Sequence, residues 1–411
     1  MQTNASHVQI IGAGVAGLTC ALYLNRAGIQ CTIHEASPRV GGRLGSDTVD
    51  GFTLDRGFQV FLTSYPEART ILDYGALKLG AFTPGALIYF NNKQHRFVDP
   101  FRRPASALTT ALSPVGSLAD KCRVALLRRS VLRGDESADT TTLARLNALG
   151  FSQRMIDRFF RPFYAGVFLE SDLSTSSRMF DFTFRMFSTG SAALPFGGMQ
   201  MIAQQLHESL TMTRVMLSSP VRAIEGTTLH FNDAQSVTSD AVIVATDACT
   251  ADQFLPGVAP RGVQWVGTTC VYFSAPKSPL REPILLLDAD HTGPVNNVCV
   301  PSDVVAGYAP QGLSLVSCAV IGTGHADIES STLKQMRQIF GAQVDAWRHI
   351  KTYVIPHALP DQSVAAYQPV QRNVRARRGV YVAGDHLDYA SINGAMSAGR
   401  RAAEAWMTDR A

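Results

Sequence analysis

Hydrophobic and polar positions near the N-terminus follow the two periods that distinguish strands from helices. Residues 8–11 (VQII) are mainly apolar, and residues 18–22 repeat apolar side chains on one side of a helix. Gly28 ends this helix, and residues 29–33 alternate as a second strand. A strand, a helix and a second strand in this order form a unit of a parallel sheet. The pattern therefore predicts an α/β protein that opens with a β-α-β unit.

The turn between the first strand and the helix has the pattern G-x-G-x-x-G (GAGVAG). Gly12 permits the tight turn, Gly14 lets the backbone approach a pyrophosphate, and Gly17 lets the helix pack closely against the strand. The helix N-terminus at Val15 and Ala16 presents free N–H groups and a positive dipole end to phosphates. We therefore predict that this turn binds a nucleotide.

The end of the second strand supplies an acidic residue at the spacing that such a site needs. Glu35 follows Gly17 by eighteen positions, where a carboxylate would accept hydrogen bonds from a ribose diol. An acid here favours an adenosine ribose without a 2′-phosphate. We predict that Glu35 and its neighbour Ala36 bind the cofactor.

A second glycine run, RVGGRL, begins at Arg39. It resembles the R-x-G-G-R signature of flavin enzymes of the amine oxidase, protoporphyrinogen oxidase and phytoene desaturase superfamily. The resemblance implies that Gly41, Gly42 and Leu44 wrap FAD while the guanidinium of Arg43 meets the pyrophosphate. For Arg39, a position in a solvated loop is an open alternative.

Further segments resemble other parts of this family. Residues 51–57 (GFTLDRG) resemble the segment that returns the chain beneath the flavin, and residues 194–199 (LPFGGM) resemble the P-x-G-G-M element. Residues 220–224 resemble the strand whose backbone, here at Val221, meets the adenine. Residues 240–246 form a buried-strand run that approaches the dinucleotide.

The C-terminal segment supplies the second half of the predicted cofactor site. Residues 379–383 form a strand that Gly384 and Asp385 follow, and a helix begins near Ser391. The resemblance implies that Asp385 holds the ribityl-diphosphate part of FAD and that the helix N-terminus faces the pyrimidine edge of the ring. Free N–H groups there would stabilise negative charge on the reduced flavin. We assign these contacts to Ser391, Ile392, Asn393 and Ala395, with free amides expected at Asn393, Gly394 and Ala395.

The resemblance implies an α/β fold class with two domains. One is a Rossmann-type FAD-binding domain, glutathione-reductase-like and of the amine oxidase type. It is predicted to be discontinuous, formed by residues 1–80, 190–256 and 365–411. The other is a substrate domain with a mixed sheet and helices, formed by residues 81–189 and 257–364.

The resemblance is less specific for the substrate. Residues 159–168 resemble the family's substrate-domain stretch, and their aromatic side chains either face an apolar substrate or form core. Amine oxidases place a lysine near the flavin N5 in the strand that here reads 267–273, and this strand has none. They also place an aromatic residue where this chain has Ser391. The chain therefore resembles most closely the phytoene desaturase and hydroxysqualene dehydroxylase branch.

These features predict an FAD-dependent oxidoreductase of the desaturase or oxidase type. Hydride would pass from a C–H bond of a small apolar, isoprenoid- or lipid-like substrate to N5 of noncovalent FAD. Alternatives are an oxidase of a small amine or other polar metabolite, a flavin-dependent non-redox isomerase, and a flavin-holding interaction protein. No general base is identified; Tyr353, His357 and Tyr389 are candidates by position, although a structural ring is the simpler interpretation of each.

Composition excludes several classes of function. The chain has 411 residues, of which 46% are hydrophobic and 17% charged, enough for two globular domains. It has no apolar run long enough to span a membrane, and we expect no targeting peptide. The net charge of +4 is too small to indicate nucleic-acid binding. Seven scattered cysteines indicate a reducing, cytoplasmic environment, and no metal site is predicted.

The run 321–327 contains a second G-x-G after a strand. Because Asp327 stands at the third glycine position, we expect a helix capped by Ser330 or Ser331 rather than a nicotinamide site. Electrons would then leave to O2, a quinone or another carrier.

Residues 101–133 carry seven basic side chains and one acidic one, Asp120. Residues 117–133 can be drawn as a helix with Leu118, Cys122, Ala125 and Leu132 on one side. Such a helix could rest on an anionic membrane, which would make the protein peripheral to it. Because Arg129 interrupts the apolar stripe, we expect instead an ordinary solvated helix of the substrate domain.

Overall fold

The computed structural model describes residues 7–134, 138–258, 264–366 and 368–410. In these ranges the strands, β1 to β21 in order, are His7–Ile11, Gln30–His34, Ser46–Val49, Phe52–Asp55, Phe61–Leu62, Gly80–Ala81, Gly85–Phe90, Lys93–Val98, Ala192–Leu194, Thr213–Met216, Val221–Glu225, Thr228–Phe231, Ser236–Thr238, Ala241–Val244, Trp265–Ala275, Leu285–Asp288, Val295–Cys299, Ser314–Ile321, Arg348–Pro360, Arg375–Arg377 and Val380–Val382.

The α-helices, α1 to α14 in order, are Val15–Arg26, Pro66–Ile71, Tyr74–Leu77, Ala107–Leu112, Leu118–Arg133, Thr142–Ala148, Gln153–Met155, Arg161–Phe168, Ser177–Thr189, Gln200–Glu208, Ala248–Phe254, Pro301–Val304, Ile328–Phe340 and Ile392–Arg410. A π-helical turn, Ile156–Phe160, joins α7 to α8. None of the helices in the described ranges has both the length and the apolar character that a bilayer span requires.

The first sheet has the strand order β10-β2-β1-β14-β21-β20. All of its neighbours pair in parallel except β20, which runs antiparallel to β21. Its strands come from residues 7–34, 213–244 and 375–382, one group from each segment predicted for the FAD-binding domain. Helices α1 and α14 pack closely because Gly399 has no side chain; a Cβ there would lie 2.3 Å from the carbonyl oxygen of Ala16.

The second sheet has the strand order β19-β15-β18-β17-β16-β7-β8 and is antiparallel except for the pair β16 and β7. Alternate side chains of β7 enter two different cores, as the two-residue period of a strand requires. Ala86 and Ile88 pack with residues of α5 to α9, and Leu87 and Tyr89 pack in the core that includes α13. This sheet therefore forms the centre of the predicted substrate domain.

Buried Asp55, at the end of β4, joins the β3–β4 hairpin to the second sheet and to two neighbouring segments. Asp55 Oδ1 accepts hydrogen bonds from Ser46 Oγ at 2.6 Å and from the amide of Met199 at 2.8 Å. Its Oδ2 accepts one from the Tyr308 hydroxyl at 2.8 Å, and its backbone carbonyl accepts one from the Tyr272 hydroxyl at 2.9 Å. Burial raises the pKa of Asp55 to about 6, although these hydrogen bonds to its side chain oppose the rise.

The second G-x-G run lies in a different setting from the first. Strand β18, which precedes it, is antiparallel to both β15 and β17, whereas a nucleotide-binding β-α-β unit needs parallel strands. The predicted helix is present as α13, but the predicted cap is wrong. The helix starts earlier, after Asp327, whose φ is 48°, and Ser330 Oγ donates back to the carbonyl of Asp327 within the first turn.

We predict that Asp55→Asn removes a pH-dependent part of the free energy of unfolding. Burial raises the pKa of Asp55 in the folded protein from its ordinary value to about 6, so the stabilising contribution of its protonated form is complete below about pH 4 and is lost as the pH rises through about 6. When the pH is lowered from 7 to 4, the free energy of unfolding of wild type should rise by roughly 2 kcal/mol relative to that of the variant. Urea unfolding of both proteins across this range measures the difference.

Asparagine is a suitable replacement because it cannot ionise but keeps the hydrogen bonds. Its amide oxygen can accept from the two donors at Oδ1, and its NH₂ group can donate to the Tyr308 hydroxyl. A constant difference between the two proteins at every pH would contradict the predicted titration of Asp55.

Candidate functional site

A single large cavity brings the two ends of the chain together. Its volume is about 1140 Å³, and its walls include residues of both sheets. The early glycine turn, represented by Gly12 and Gly14, and the late Gly384-Asp385 segment face this same space. The two halves of the predicted cofactor site are therefore one site.

The three glycines of the first turn have different structural roles. Gly12 has a φ of 102°, and its amide donates to the carbonyl of His34 at 2.8 Å. A Cβ on Gly17 would lie 2.0 Å from the carbonyl oxygen of Gly12, so Gly17 serves helix packing. A Cβ on Gly14 would meet no atom within 4 Å, because it would point into the cavity. This open approach to the backbone is the space that a pyrophosphate would need.

Glu35 is fixed at the edge of the cavity by two backbone amides. Its Oε2 accepts from the amide of Ala13 at 2.7 Å, and its Oε1 accepts from the amide of Ser37 at 2.8 Å. Each oxygen keeps a lone pair for a further donor. The carboxylate can therefore accept hydrogen bonds from a ribose diol.

The second glycine run packs directly on the first. Gly41 has a φ of 111°, and its amide donates to the carbonyl of Ala13 at 2.8 Å. Arg39 holds this loop from within, because its guanidinium donates to the carbonyl oxygens of Val40, Gly42 and Leu44. Arg39 is thus a structural part of the loop as well as a residue of the cavity wall.

An ion pair joins this loop to the C-terminal segment. Arg43 Nη2 donates to Asp385 Oδ1 at 2.6 Å, and Nη1 donates to the carbonyl of Ala358 at 3.1 Å. The side chain of Asp385 is only 6% exposed. Its burial alone would raise the pKa of this carboxyl group, but the charge and hydrogen bond of Arg43 outweigh burial and hold the pKa below its ordinary value.

The start of α14 differs in detail from the prediction. Ser391 caps the helix: its Oγ accepts from the amide of Gly394 at 3.0 Å, and its carbonyl accepts from the amide of Ala395 at 2.9 Å. Two of the three amides expected to be free are therefore engaged within the helix. Asn393 Oδ1 accepts from the amide of Glu67 at 3.0 Å, which ties α14 to α2.

Most of the predicted cofactor residues share the cavity wall. Gly17 and Asn393 are absent from the wall, for the packing reasons given above. The wall contains Gly12, Gly14, Val15, Ala16, Glu35, Ala36, Gly41, Gly42, Arg43, Leu44, Val221, Gly384, Asp385, Ser391, Ile392 and Ala395. An open glycine backbone, a carboxylate for a ribose and a paired guanidinium and carboxylate fit the chemical groups of FAD.

Of the three candidate bases, only Tyr353 reaches the cavity wall. Its hydroxyl donates to Asp47 Oδ2 at 2.7 Å. Burial and then this neighbouring carboxylate raise the pKa of Tyr353. Because the Tyr353 hydroxyl is protonated and already donates its hydrogen, it is poorly suited to act as a general base.

The other two candidates lie outside the wall. His357 is in a bulge of β19, since Ile355 pairs with Thr268 and Leu359 pairs with Val266, which leaves three residues of β19 opposite one of β15. Its ring is exposed and packs against Trp265 at 5.1 Å. Tyr389 stacks on Phe182 with ring centroids 4.2 Å apart.

Sequence reasoning missed a polar cluster at one side of the cavity. Asp47 accepts hydrogen bonds from Arg56 Nη2 at 2.8 Å and from Lys351 Nζ at 3.4 Å, in addition to Tyr353. Burial opposes ionisation here, but Arg56 and Tyr353 together lower the pKa of Asp47 to about 2. Lys351 lies on β19 directly opposite Tyr272 of β15, the strand in which the sequence lacks a lysine. No local spacing indicated this group, because it combines residues of the β3–β4 hairpin with residues of β19, which belong to different sheets.

Another part of the cavity wall is lined by aromatic rings, with Arg102 and Arg128 beside them. Phe163 stacks on Phe159 at 5.5 Å and meets Phe187 edge to face at 5.1 Å, and all three rings line the wall. Phe160 and Phe168 are instead fully buried in the core. The aromatic stretch 159–168 therefore contributes both to the cavity and to the core.

Comparison with known proteins identifies relatives of this arrangement. Residues 15–407 match the family described as flavin containing amine oxidoreductase. Protoporphyrinogen oxidase 2 of Arabidopsis thaliana is 28% identical over 40% of this chain and 32% of its own length. The chain thus spans about a third of that relative. A protein of Synechococcus elongatus named as a zeta-carotene desaturase is 24% identical over 98% of this chain and 99% of its own length.

The fold has relatives among solved structures. A protein from Exiguobacterium sp. 255-15, crystallised as a protoporphyrinogen oxidase, has a TM-score of 0.75 and 18% identity, with 99% of each chain covered. This similarity confirms the predicted fold class. The family match confirms the predicted superfamily and the prediction of a flavin-dependent oxidoreductase with FAD as its cofactor.

We predict that Gly14→Ala weakens FAD binding by roughly tenfold or more without destabilising the FAD-free fold. The backbone of Gly14 has φ −69° and ψ 174°, which alanine adopts freely, and the added methyl group would occupy only cavity space. Fluorescence titration of the FAD-free protein with FAD measures the affinity, and thermal unfolding measures the stability.

Gly17→Ala is the matched control. Its methyl group would overlap the carbonyl of Gly12 at 2.0 Å, so the fold itself should lose stability. If Gly14→Ala binds FAD as wild type does, Gly14 does not face the cofactor.

Proposed function

This chain belongs to the flavin-containing amine oxidoreductase family, and we propose that it oxidises a C–H bond of an apolar, lipid-like substrate to form a double bond. Bound FAD would supply the hydride acceptor for this reaction. The chain itself would bind both molecules, orient them and exclude water from the reacting atoms.

The cofactor would be held by groups from both ends of the sequence. The backbone at Gly14 leaves room for the pyrophosphate, and Glu35 offers acceptors to the adenosine ribose. Arg43 and Asp385 form a charged pair that lies between Gly14 and Glu35 on one side and α14 on the other. Because Asp385 stays ionised beside Arg43, it can accept hydrogen bonds from hydroxyl groups of the cofactor.

One observation carries the proposal for the substrate: the cofactor residues and the phenylalanine-lined wall belong to one continuous cavity. A substrate packed against Phe159, Phe163 and Phe187 would share this space with the cofactor. Burying its apolar surface there would contribute roughly 25 cal/mol per Å² to binding. The name of the relative from Synechococcus elongatus, which refers to the desaturation of a carotene, supports the same class of substrate.

Forming a double bond also requires loss of a proton from the neighbouring carbon, and this proton is finally released to solvent. Asp47 is too weak a base to take this proton near neutral pH, because its pKa is about 2. Tyr353 already donates its own hydrogen to Asp47. We therefore assign the polar cluster of Asp47, Arg56, Lys351 and Tyr353 to orienting the bound molecules rather than to proton removal.

An anaerobic absorbance scan tests the proposal. We expect the flavin band of the holoprotein to bleach with an isoprenoid or other lipid substrate and to stay unchanged with amines. Readmission of O2 or addition of a quinone would then restore the band and identify the electron acceptor. Bleaching by an amine alone would overturn the proposal in favour of an amine oxidase. Turnover that needs reduced flavin but consumes no acceptor would indicate an isomerase.

We predict that Phe187→Asn raises KM for the lipid substrate by roughly tenfold, because it places a polar amide in the apolar wall beside Phe163. The absorbance spectrum of bound FAD should remain that of wild type. Steady-state kinetics with the substrate that bleaches the flavin measures the change.

Phe196→Asn is a suitable control, because Phe196 is half exposed and lies outside the cavity wall. Equal effects of the two substitutions, or none at Phe187, would show that the substrate does not contact this wall.

A further inference from the structure

The outward side of α5 carries large apolar side chains among its arginines, which is unusual for a helix on a protein surface. Its inward side is marked by the buried residues Asp120, Leu127 and Val131. Leu118 and Leu126 lie on the opposite side and are 67% and 65% exposed. A surface helix normally directs its apolar side to the core and its polar side to water. In α5, apolar side chains lie on both the side that faces the core and the side that faces water.

The adjacent helix α4 extends this apolar surface. Lys121 of α5 donates to the carbonyl oxygens of Ala111 and Ser113, which holds the end of α4 against the start of α5. Half of the exposed large hydrophobic side chains in the described residues lie in this part of the chain. We refer to them as the leucine face: Phe101, Leu108, Leu112, Leu118, Leu126 and Leu132.

Basic side chains predominate around the leucine face, although Asp99, just before it in sequence, pairs with Arg128. Residues 101–133 carry seven basic side chains, and their one acidic residue, Asp120, is fully buried under the hydrogen bonds of Ser117 and Ser152. Arg103, Arg129 and Arg133 are exposed and form no ion pair within the described residues. Exposed leucines among unpaired arginines match the two components of an anionic lipid surface, its acyl chains and its headgroups.

The leucine face is continuous with the cavity. Phe101 belongs to both, since it is 57% exposed and also lines the cavity wall. The guanidinium of Arg128 lies 5.0 Å from the Phe101 ring and donates to the carbonyl of Ser188, and both residues line the same wall. The cavity therefore reaches the protein surface at the leucine face, where Phe101 lines it together with the basic residues Arg102, Lys121 and Arg128.

We propose that the leucine face docks on an anionic membrane and that the cavity opens there toward the lipid phase. The leucines enter the boundary between headgroups and acyl chains, and Arg103, Arg129 and Arg133 contact anionic headgroups. An apolar molecule then passes from the bilayer into the cavity beside Phe101 without crossing water. Docking itself requires no turnover, so it can be tested separately from the proposed reaction.

The positive charge of the leucine face favours an anionic membrane over a second copy of the chain as the partner. A second copy of the chain would bring the same cluster of arginines against this one, and like charges at an interface are unfavourable. An anionic bilayer removes this repulsion, and each basic residue near its surface contributes about 1 kcal/mol.

Vesicle sedimentation of the full-length holoprotein tests the docking. We expect the protein to sediment with vesicles of phosphatidylcholine containing about one-third phosphatidylglycerol and to bind pure phosphatidylcholine much more weakly. The triple variant Leu112→Glu, Leu118→Glu, Leu126→Glu should lose at least about tenfold in affinity for the anionic vesicles. Bound FAD, measured by absorbance, verifies that each variant is folded.

Two further variants separate the leucine face from general surface effects. Leu217→Glu, Val237→Glu, Leu313→Glu changes three exposed apolar residues elsewhere and should bind like wild type. Arg103→Gln, Arg129→Gln, Arg133→Gln should lose affinity for anionic vesicles and show a weaker dependence on salt.

Two outcomes would overturn the proposal. One is sedimentation that is absent for wild type or equally reduced in the leucine variant and the matched control. The other is a wild-type dimer, seen by size exclusion with light scattering, that the leucine variant converts to a monomer; the leucine face would then be a subunit interface.

Discussion

The ion pair between Arg43 and Asp385 is the interaction on which the rest of the site depends. It joins residues that are 342 positions apart and places the two halves of the candidate cofactor site against each other. A buried carboxylate is costly without a partner, and a guanidinium at 2.6 Å offsets that cost. The same pair keeps Asp385 ionised, so that the wall presents a hydrogen-bond acceptor beside a cation where the two halves meet.

The parts of the site that sequence could predict are those in which a local backbone shape requires a particular residue. Gly12 and Gly41 both have positive φ values, and such positions restrict the choice of residue strongly. Glu35 was found because it follows the glycine turn at a fixed distance along one strand. These short-range requirements, together with the strand and helix periods, predicted an α/β protein that binds a nucleotide, and the resemblance to flavin enzymes implied FAD and the two-domain fold.

The remaining parts depend on pairing and packing over long distances. His357 lies in a bulge that only the register of β19 with β15 reveals, and the same register brings Lys351 to the cavity from a strand without a motif. In α5 the sequence showed an apolar side with Leu118 and Leu132 but could not show that another side, with Leu127, enters the core. Which side of a helix is buried depends on the neighbouring elements.

The strand order of the first sheet has a consequence for how the protein is made. Strand β1 at its centre pairs with β2 early, but its other partner, β14, is translated only after the whole insertion that contains α4 to α9. The edge of β1 that pairs with β14 therefore stays unpaired while most of the chain is synthesised. The sheet is complete only after β21 has left the ribosome. Until then, the unpaired strand edges of the emerging polypeptide are open to association with other chains.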